Sequence, residues 1–415
     1  MRVVVVGGGV VGLCCAYALG KAGADVTVVE LGKVGRATSA GNAGWITPSL
    51  SAPIPAPGVM GQALKWMLKS DSPLLVRPRL HPSFLRWSWS FWRSCSPARY
   101  GAGLRATLAL NARTLELFDE LRAAGVEFEM HSTGIVFAAL SGDTVEHYSE
   151  MFHDLRDAGY DDPVDVLDAG GIHELEPALA RSVVGGFHVH GDRCVRPETL
   201  VDGLATHLRG SGVELVEQAE VLDLVQASNG GGTWRIVTRT DELRAERVVV
   251  AAGVWSRPLL SRLGVRLPLE AAKGYSVTAT GRGARPAHPL YLTEAKVGFS
   301  PFAQAARLAG TLELTGLDLS LNRGRIDAIV RAASSYLRDW SPADVQLEWA
   351  GLRPLAPDGL PFIGAVPGLA NLYVAAGHGM LGVTLAPATG AALAPLVLEG
   401  RLVPELVPFA LHRGL

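Results

Sequence analysis

The earliest residues whose types and spacing suit a chemical task are three glycines. Gly7, Gly9 and Gly12 fit the pattern G-x-G-x-x-G, and a β-branched run at 3–6 precedes them. In this pattern the first glycine allows a tight turn from strand to helix, the second lets a pyrophosphate approach the backbone, and the third lets helix and strand pack closely. The helix N-terminus adds free N–H groups, which favour phosphate. The glycines therefore predict a dinucleotide site.

An acidic residue ends the second predicted strand. A helical apolar pattern at 10–20 is followed by the apolar run 26–29, which leads directly to Glu30. A carboxylate in this place accepts hydrogen bonds from a ribose 2′-hydroxyl. Strand, glycines, helix, strand and acid occur in order, which favours dinucleotide binding over an α/β unit without a ligand. A signal peptide over 1–20 is a further alternative, but the glycine break, the second strand and Lys21 argue against it.

The C-terminal third carries a second set of residues with chemical potential. Residues 348–364 include the tetrad Gly-Leu-Arg-Pro, whose arginine is Arg353. A guanidinium binds a carboxylate through two parallel hydrogen bonds, so this arginine suits the capture of an acid group. The alternative is a structural arginine paired with Glu348 or Asp358.

Three other stretches combine small residues with hydrogen-bond donors. The loop at 36–48 is rich in small and amide residues, which let its backbone lie against a planar ring or a phosphate; the alternative is a flexible connector. Strand-like runs enter small-residue turns at 248–256 and 372–384, and the second turn reads Gly-His-Gly at 377–379. Free N–H groups in such turns stabilise negative charge on a ligand. The alternative for the turn at 248–256 is an ordinary strand-to-helix corner.

Composition limits the classes of function. The chain has 415 residues, enough for two domains or one large discontinuous domain, and its net charge of −2 excludes the basic field typical of nucleic-acid binding. The cysteines at 14, 15, 95 and 194 lack the spacing of a metal or redox site, and the adjacent pair cannot form an ordinary disulfide. We therefore expect no metal ion and a reducing, cytoplasmic compartment. No apolar run reaches the length of a membrane span.

The glycine-rich start, the Thr-Ser-Ala-Gly-Asn-Ala-Gly loop and the C-terminal third resemble the FAD-dependent amino-acid oxidoreductases. This group includes D-amino-acid dehydrogenases, glycine oxidase and D-amino-acid oxidase, and the similarity to the small subunit of bacterial D-amino-acid dehydrogenases extends through most of the chain. The resemblance implies an α/β fold of the glutathione-reductase-like type with two domains. The Rossmann-type FAD-binding domain would comprise 1–82, 191–265 and 346–415. The second, α+β substrate domain, built on an antiparallel sheet, would comprise 83–190 and 266–345.

The resemblance also assigns roles to individual residues. Arg353 matches the arginine that binds the substrate carboxylate, and Tyr275 and Lys273 match a strand beside the substrate pocket. His378 could be taken for a general base, but we expect it to position its turn, because hydride transfer from an α-carbon requires no proton transfer at carbon. The residues expected to contact FAD are Gly7, Gly9, Val10, Val11, Gly12, Glu30, Thr38, Ser39, Asn42, Ala43, Gly44, Trp45, Val221, Ala251, Ala252, Gly253, Trp255, Gly377, His378, Gly379, Met380, Leu381, Gly382 and Thr384.

The implied reaction is oxidation of a D-amino acid to an imino acid by hydride transfer to flavin N5, after which water yields a 2-oxo acid and ammonia. The electrons would pass to a quinone, another carrier or oxygen. FAD should be held without a covalent bond, since no histidine precedes His81 and Cys14 and Cys15 lie in the first helix. Three alternatives remain: oxidation of a secondary amino acid such as proline, hydroxyproline, sarcosine or an N-substituted glycine; a flavin-binding protein without turnover; and a nicotinamide dehydrogenase, which the Gly-His-Gly turn disfavours.

One segment lies outside this chemistry. Residues 72–115 contain no acidic residue, and their arginines are Arg77, Arg79, Arg86, Arg93, Arg99, Arg105 and Arg113. Over a predicted helix at 83–95, aromatic residues share a broad face with Leu85; they are Phe84, Trp87, Trp89, Phe91 and Trp92. Burial of this helix against its own domain or a partner subunit is one interpretation. The other is peripheral contact with the inner face of the plasma membrane, because tryptophan and arginine suit the membrane–water interface.

Overall fold

The computed structural model describes residues 1–61, 63, 74–77, 79–227 and 232–414. The sequence also predicts a helix near 61–69, and most of that stretch lies outside the described residues. Within them the helices are α1 (Val10–Lys21), α2 (Pro82–Ser94), α3 (Pro97–Asn111), α4 (Thr114–Ala123), α5 (Gly142–Asp157), α6 (Ala169–Leu175), α7 (Pro197–Gly210), α8 (Ser256–Ser261), α9 (Arg323–Ser334) and α10 (Gly382–Glu399), with 3-10 turns at Pro48–Leu50, Gly253–Trp255 and Pro404–Phe409.

The strands in the same ranges are β1 (Arg2–Val6), β2 (Asp25–Val29), β3 (Trp45–Ile46), β4 (Leu74–Val76), β5 (Met130–His131), β6 (Ile135–Ala139), β7 (Val164–Asp168), β8 (Gly185–Val189), β9 (Arg193–Val195), β10 (Glu214–Val216), β11 (Val221–Gln226), β12 (Trp234–Thr238), β13 (Glu242–Ala245), β14 (Arg247–Val250), β15 (Glu270–Arg282), β16 (Leu290–Leu292), β17 (Val297–Pro301), β18 (Ala306–Leu314), β19 (Ser341–Leu355), β20 (Phe362–Ala365) and β21 (Leu372–Ala376).

A six-stranded sheet forms the centre of the first domain, in the order β10-β2-β1-β14-β21-β20 within the described residues. Its strands are parallel except β20, which is antiparallel to β21. Val3 and Val5 of β1 pack with helices α1, α7 and α10, whereas Val4 and Val6 pack against the antiparallel strands β11 and β12 on the other face. Both faces are covered, which explains why β1 and β2 are valine-rich runs rather than alternating patterns.

The second domain is organised by a nine-stranded sheet. Its order is β19-β15-β18-β17-β16-β6-β8-β7, with β4 paired to β18, in the part of the chain that is described. Most neighbouring strands are antiparallel, but β16–β6 and β18–β4 are parallel pairs, so the sheet is mixed. Helices α6 and α9 cover one face, and α5 covers part of the other. The fold is thus a dinucleotide-binding α/β domain joined to a second, sheet-based domain.

Strand β19 crosses the predicted domain boundary between residues 345 and 346. It runs from Ser341 to Leu355 and pairs with β15 along its length, so Arg353 lies on the large sheet. Strand β4 also joins this sheet, although 74–76 fall inside the segment predicted for the FAD-binding domain. Strand pairing is a long-range property, and the composition of either strand gives no information about its partner.

The sequence at 103–124, which Gly125 ends, predicts one long helix, but the structure forms two helices there. The break lies between α3 and α4, where Thr114 Oγ1 donates to Asn111 Oδ1 at 3.2 Å and to the carbonyl oxygen of Thr384 at 3.1 Å. These buried hydrogen bonds turn the chain toward α10. Only the position of α10 in the fold supplies that acceptor.

Helix α10 contradicts the expectation that no apolar run reaches the length of a membrane span. Among the described helices it is the one that is long and apolar enough to cross a membrane by length and composition, and 67% of it is buried inside the protein. It packs against α1 and the six-stranded sheet. A helix that is apolar on all sides suits the core of a large domain.

Candidate active site

The glycine turn after β1 has no room for side chains. Gly7 has a φ of +112°, and a Cβ atom there would lie 2.5 Å from the carbonyl oxygen of Ala251. A Cβ atom on Gly12 would lie 1.9 Å from the carbonyl oxygen of Gly7. Gly9 is the N-cap of α1 and has no side chain to cover the first N–H groups of the helix. The turn is therefore an open backbone cradle at a helix N-terminus, which suits a pyrophosphate.

Glu30 lies beside this cradle. Its carboxylate accepts hydrogen bonds from the N–H groups of Gly8, at 2.7 Å, and Gly32, at 3.0 Å, and each oxygen keeps a further lone pair for a ligand. The carbonyl oxygen of Glu30 accepts from the N–H of Ala219 at 2.9 Å, which brings the start of β11 at Val221 to the same edge of the sheet. Both residues are thus placed together next to the glycine turn.

The loop at 38–45 connects the two domains. Ser39 Oγ accepts a hydrogen bond from the N–H of Val10 at 3.0 Å, at the start of α1. One residue earlier, Thr38 Oγ1 donates to the carbonyl oxygen of Leu352 at 3.1 Å, on strand β19. The loop is therefore fixed to the glycine cradle at one point and to the large sheet at another, which does not fit the alternative of a flexible connector.

The second half of this loop is equally constrained. Asn42 Oδ1 accepts from the N–H of Gly44 at 2.7 Å, and Gly44 has a φ of +83°. Its carbonyl oxygen accepts from the N–H of Val195 at 2.7 Å, and a Cβ atom on Gly44 would lie 1.9 Å from the carbonyl oxygen of Val195. A side chain at this position would push the loop away from β9.

Trp45 and its neighbours attach the loop to α10 and to β17. Thr384 Oγ1 donates to the carbonyl oxygen of Trp45 at 3.1 Å. The indole Nε1 of Trp45 donates to Ser300 Oγ at 2.9 Å, and Ser300 Oγ donates to the carbonyl oxygen of Ala43 at 2.7 Å. The predicted residues Ala43, Trp45 and Thr384 therefore belong to one hydrogen-bonded group.

Arg307 of β18 supports this loop, although no sequence motif marks it. The side chain is fully buried, and its Nη1 donates to the carbonyl oxygens of Ala40 and Asn42 at 2.8 Å each. Its Nε donates to Thr278 Oγ1 at 2.8 Å, and its Nη2 forms an ion pair with Glu198. A buried arginine with all these partners fixes the loop to the large sheet.

The small-residue turn after β14 closes the cradle from the other side. The N–H of Ala251 donates to the carbonyl oxygen of Val6 at 2.8 Å. Ala252 and Gly253, whose φ is +56°, then lead into Trp255, which packs beside a small buried cluster that includes Leu352. The turn lies between the glycine cradle and β19, as a turn that approaches a bound dinucleotide should.

The turn after β21 leads into the N-terminus of α10. Gly377 and Gly379 have φ values of +91° and +54°, and the N–H of Gly379 donates to the carbonyl oxygen of Pro354 at 3.0 Å. This bond places the turn next to Arg353. The first N–H groups of α10, beginning at Gly382, have no acceptor within the helix and carry its partial positive charge, so they favour a negatively charged ligand edge.

His378 is buried within this turn. Its Nε2 lies 3.0 Å from Thr389 Oγ1, and burial lowers the pKa of the imidazole to about 3. The ring is therefore neutral at physiological pH. A hydrogen bond from the turn to the second turn of α10 suits the positioning role expected for this residue and leaves it a poor general base.

A cavity of about 1090 Å³ lies between the loop at 38–45, the large sheet and α2. Most of its wall is apolar and aromatic. The lining residues with predicted roles are Thr38, Asn42, Ala43, Trp45, Tyr275, Arg353, Met380 and Leu381. Loop and sheet residues that are far apart in sequence thus meet around one space.

Arg353 is the cationic group of this cavity that the sequence predicted. Its Nη1 donates to the carbonyl oxygen of Thr311 at 2.8 Å, and it has no acidic partner within ion-pair distance among the described residues. Burial lowers its pKa to about 10, so it stays positively charged at neutral pH. The guanidinium lies over Gly274, where a Cβ atom would approach Nη1 to 2.0 Å.

The two acidic residues proposed as structural partners of Arg353 are paired elsewhere. Glu348 forms an ion pair with Arg323, and Asp358 forms one with Arg413 at 2.7 Å. The guanidinium therefore remains available for an anion from the cavity. This geometry argues against the alternative of a purely structural arginine.

Tyr275 and Lys273 belong to a buried polar network on β15. Tyr275 lines the cavity, and its hydroxyl donates to Glu313 Oε2 at 2.9 Å; burial and this carboxylate raise the pKa of the phenol. Lys273 Nζ donates to Asp318 Oδ2 at 2.7 Å and lies 3.7 Å from Glu313. The structure places the ammonium of Lys273 in this ion-pair network rather than in the cavity wall, because Asp318 and buried Glu313 both lie within ion-pair distance of it.

The extent of the match to known proteins decides the family. A family model described as FAD dependent oxidoreductase matches residues 2–396. This chain belongs to that family. Solved structures share the fold: glycine oxidase from Geobacillus kaustophilus is 24% identical, with a TM-score of 0.79 over 100% of this chain and 99% of that chain. L-proline dehydrogenase from P. horikoshii is 19% identical, with a TM-score of 0.75 over 99% and 97%. Iminodiacetate oxidase from Chelativorans sp. BNC1 is 22% identical, with a TM-score of 0.72 over 99% and 98%.

This FAD-dependent oxidoreductase has a backbone that fits its cofactor. A Cβ atom would fill the cradle at Gly7 or Gly12, and Glu30 holds a carboxylate beside it. The helix N-terminus at Gly382 follows the turn whose Gly379 N–H donates to the carbonyl oxygen of Pro354, beside Arg353. Bound FAD supplies the hydride acceptor and the two-electron chemistry. The chain itself offers backbone amides that would suit the phosphates, a carboxylate that would suit a ribose hydroxyl, and a positively polarised helix end.

Other residues of the oxidoreductase cavity were not predicted from the sequence. Trp349 of β19 lies over Gly41 and Gly351, where Cβ atoms would come within 2.0 Å and 1.7 Å of its ring. Lys296 donates to the hydroxyl of Tyr148 at 2.8 Å, and burial lowers its pKa to about 8. These residues lie on different strands and helices, so no local spacing could have grouped them.

Proposed function

We propose that this FAD-dependent oxidoreductase oxidises an amino acid, and that its substrate is a D-amino acid. The product would be the imino acid, which water converts to a 2-oxo acid and ammonia. The observation that supports the proposal is Arg353, a buried guanidinium that lines the cavity and has no acidic partner among the described residues. Burying a charge without an oppositely charged partner costs free energy, and a substrate carboxylate would offset that cost by forming an ion pair with the guanidinium.

The surroundings of Arg353 suit a bound amino acid. Its bond to Thr311 fixes one side of the guanidinium and leaves other N–H groups for a carboxylate. The largely apolar wall offers contact surface to the substrate side chain. Because the substrate must present its α-carbon hydrogen to the flavin, a fixed carboxylate contributes through orientation, which is worth up to about 7–11 kcal/mol in enzymes.

A secondary amino acid is the second candidate substrate. Two of the proteins that share this fold across nearly their whole length act on secondary amines by name, L-proline dehydrogenase and iminodiacetate oxidase. An arginine clamp would bind the carboxylate of either substrate class in the same way. The two candidates therefore differ in the groups around the amine, and in which face of the α-carbon meets the flavin.

Anaerobic flavin reduction over a substrate panel tests this proposal. The purified holoenzyme is mixed with D- and L-enantiomers of neutral, aromatic and acidic amino acids, and with proline, hydroxyproline, sarcosine and N-substituted glycines. Bleaching of the flavin band by D-amino acids, at least 10-fold faster than by their L-enantiomers, is the expected result. Faster bleaching by the secondary amines would instead identify a secondary amino acid as the substrate. No bleaching by any member would overturn both and favour a flavin-binding protein without turnover.

We also propose that α2 contacts an anionic membrane surface, from which a quinone could accept the electrons. The aromatic residues of α2 divide into two stripes. Phe84 and Trp87 are buried in a hydrophobic cluster beside the cavity, and partly buried Phe91 packs against that cluster. Leu85, Trp89 and Trp92, at i, i+4 and i+7, are 53%, 59% and 53% exposed on the other side. Exposed tryptophans on a helix suit the membrane–water interface.

The charge available for such contact is smaller than seven arginines suggest. Arg79 pairs with Glu270, and Arg113 pairs with two acids of α4. Arg86 and Arg93 on α2 are exposed and have no ion pair among the described residues. Each basic residue near an anionic surface contributes about 1 kcal/mol, so these two alone would contribute about 2 kcal/mol.

Vesicle flotation tests the membrane proposal. The protein should float with phosphatidylserine-containing vesicles at low salt, and the bound fraction should fall as salt rises, because the attraction is screened. Changing Trp89 and Trp92 together to serine should abolish flotation. In the matched control, Leu402 and Val407, which are 53% and 57% exposed elsewhere on the surface, are changed together to serine. This control protein should float like the wild type. Failure of the wild type to float would disprove the contact.

A further inference from the structure

Two histidines and an aspartate meet on the edge of the large sheet, away from the cavity. His188 lies in β8, and His190 directly follows the last residue of that strand. Because the two histidines are two residues apart in extended chain, their side chains point to the same face. Asp165 of β7 is paired directly opposite His188. One possible ligand atom from each of the three residues lies within 4.8 Å of the others. The ring centroids of the histidines are 4.1 Å apart.

Hydrogen bonds prepare these rings for a ligand. His188 Nε2 lies 2.9 Å from the carbonyl oxygen of Thr133, which can only accept, so Nε2 donates and the neutral ring keeps its lone pair on Nδ1. A histidine that binds a metal ion commonly donates its other N–H to a backbone carbonyl in this way. His190 Nε2 lies 2.7 Å from Asp165 Oδ2. The carboxylate and the second imidazole are thus already in contact.

We propose that Asp165, His188 and His190 bind a divalent transition-metal ion of the Zn²⁺ class. Two imidazole nitrogens and one carboxylate oxygen are ligands that Zn²⁺ accepts, and a water molecule would complete a tetrahedral set. Metal–ligand bonds of about 2.0–2.2 Å place the ligand atoms of a tetrahedral set about 3.3–3.6 Å apart. His190 Nε2 and Asp165 Oδ2, now 2.7 Å apart, would therefore separate slightly as the ion replaces the shared proton. Small side-chain rotations would bring all three ligand atoms, now within 4.8 Å of one another, to these separations. Asp165 and His190 have side chains that are 58% and 44% exposed, which gives the ion an entry path.

The site is independent of the flavin chemistry. Phe187 and Val189, which alternate with the histidines along β8, pack with Tyr148 of α5 on the side of the cavity. His188 and His190 therefore point to the opposite face of the sheet. Strand β7 is the last strand in the sheet order, so an ion held between β7 and β8 would fasten this edge. The expected consequence of binding is a more stable sheet edge, without a change at the active site.

A third imidazole near the site, that of His288, is already hydrogen-bonded to a carboxylate. His288 has its ring centroid 5.6 Å from that of His188, and its Nδ1 lies 3.1 Å from Glu176. The buried carboxylate of Glu176 also accepts from the N–H groups of Ala287 and His288. This network holds His288 beside the site rather than in it.

Calorimetric titration of the chelator-treated, desalted holoenzyme with ZnCl₂ tests the inference, with Co²⁺ absorption as a second probe. One ion per chain should bind, and Co²⁺ should give visible bands of a nitrogen- and oxygen-ligated site. His190→Ala and Asp165→Asn should each weaken Zn²⁺ binding at least 10-fold, since even outer partners of metal ligands are worth 10- to 100-fold in affinity.

The matched control is His153→Ala. His153 lies 3.7 Å from Asp157 on α5 and is 76% exposed, so it offers a histidine–carboxylate pair without a second imidazole. This variant should bind Zn²⁺ like the wild type. Circular dichroism and flavin absorbance check that each variant folds and keeps FAD. Absence of a stoichiometric ion in the wild type, or unchanged affinity in both His190→Ala and Asp165→Asn, would overturn the inference.

Discussion

Replacing Arg307 by methionine is expected to lower the free energy of unfolding by about 3–5 kcal/mol and to weaken FAD binding strongly. Methionine keeps an unbranched apolar stem but lacks the guanidinium and cannot donate hydrogen bonds. The carbonyl oxygens of Ala40 and Asn42 would lose their donor, and half-buried Glu198 would lose its short ion pair and keep only Arg196, at 3.9 Å, among the described residues. Because these carbonyls belong to the loop at 38–45, the loop should detach from the large sheet. Urea unfolding and release of FAD fluorescence on dilution measure the two effects.

Two controls separate this effect from the loss of any arginine. Arg307→Lys keeps the charge but lacks the planar fork, so it should lie between wild type and Arg307→Met. Arg235→Met removes an ion pair to Glu242 whose side chains are 44% and 50% exposed, and it should change stability by no more than about 0.5 kcal/mol. Wild-type stability and FAD affinity in Arg307→Met would contradict the supporting role assigned to this residue.

Replacing Arg353 by alanine is expected to lower kcat/KM on the best substrate by about 10- to 100-fold while FAD stays bound. Loss of a charge-assisted bond costs about 1.5–3 kcal/mol, which corresponds to this range. Steady-state rates and the flavin-to-protein absorbance ratio measure the two quantities. Unchanged kcat/KM in a variant that retains FAD would remove the carboxylate clamp from the proposal.

Gly274→Ala tests the same clamp without removing the arginine. The new Cβ atom would lie 2.0 Å from Arg353 Nη1, so the guanidinium would have to move away from its bond to Thr311. We expect a loss of kcat/KM in the same direction as in Arg353→Ala. Gly20→Ala is the matched control, because its Cβ atom would meet Val213 at an ordinary 3.5 Å. If Gly274→Ala behaves like Gly20→Ala, the position of the guanidinium does not matter for catalysis.

The elements that the sequence predicted best are those whose signal lies within one short stretch. The β1–α1–β2 unit, its three glycines and Glu30 occupy the first thirty residues, and each residue type there is required by backbone geometry or phosphate contact. The turn at 377–379 is similar, because strand, glycines and helix start follow one another directly. The FAD-dependent family follows from such stretches, and the match over residues 2–396 supports it.

The sequence did not reveal which distant groups a given side chain contacts. The aromatic residues of α2 looked like one broad face, but the structure divides them, because Trp87 Nε1 donates to the carbonyl oxygen of Leu355 and turns one stripe inward. Lys273 matches a strand beside the pocket, but Asp318 and Glu313 hold its ammonium in an ion-pair network instead. In both cases the deciding groups are far away in the sequence.

The type of cofactor site and the arginine suited to a carboxylate could be recognised from the chain alone, because the glycines and the guanidinium act through their own backbone geometry and charge. The fold was needed to show that Arg307 holds the loop at 38–45, that Arg353 has no acidic partner among the described residues, and that Asp165 lies opposite His188. Burial, charge pairing and strand register depend on residues that folding brings together, so they leave no pattern in a single stretch of chain.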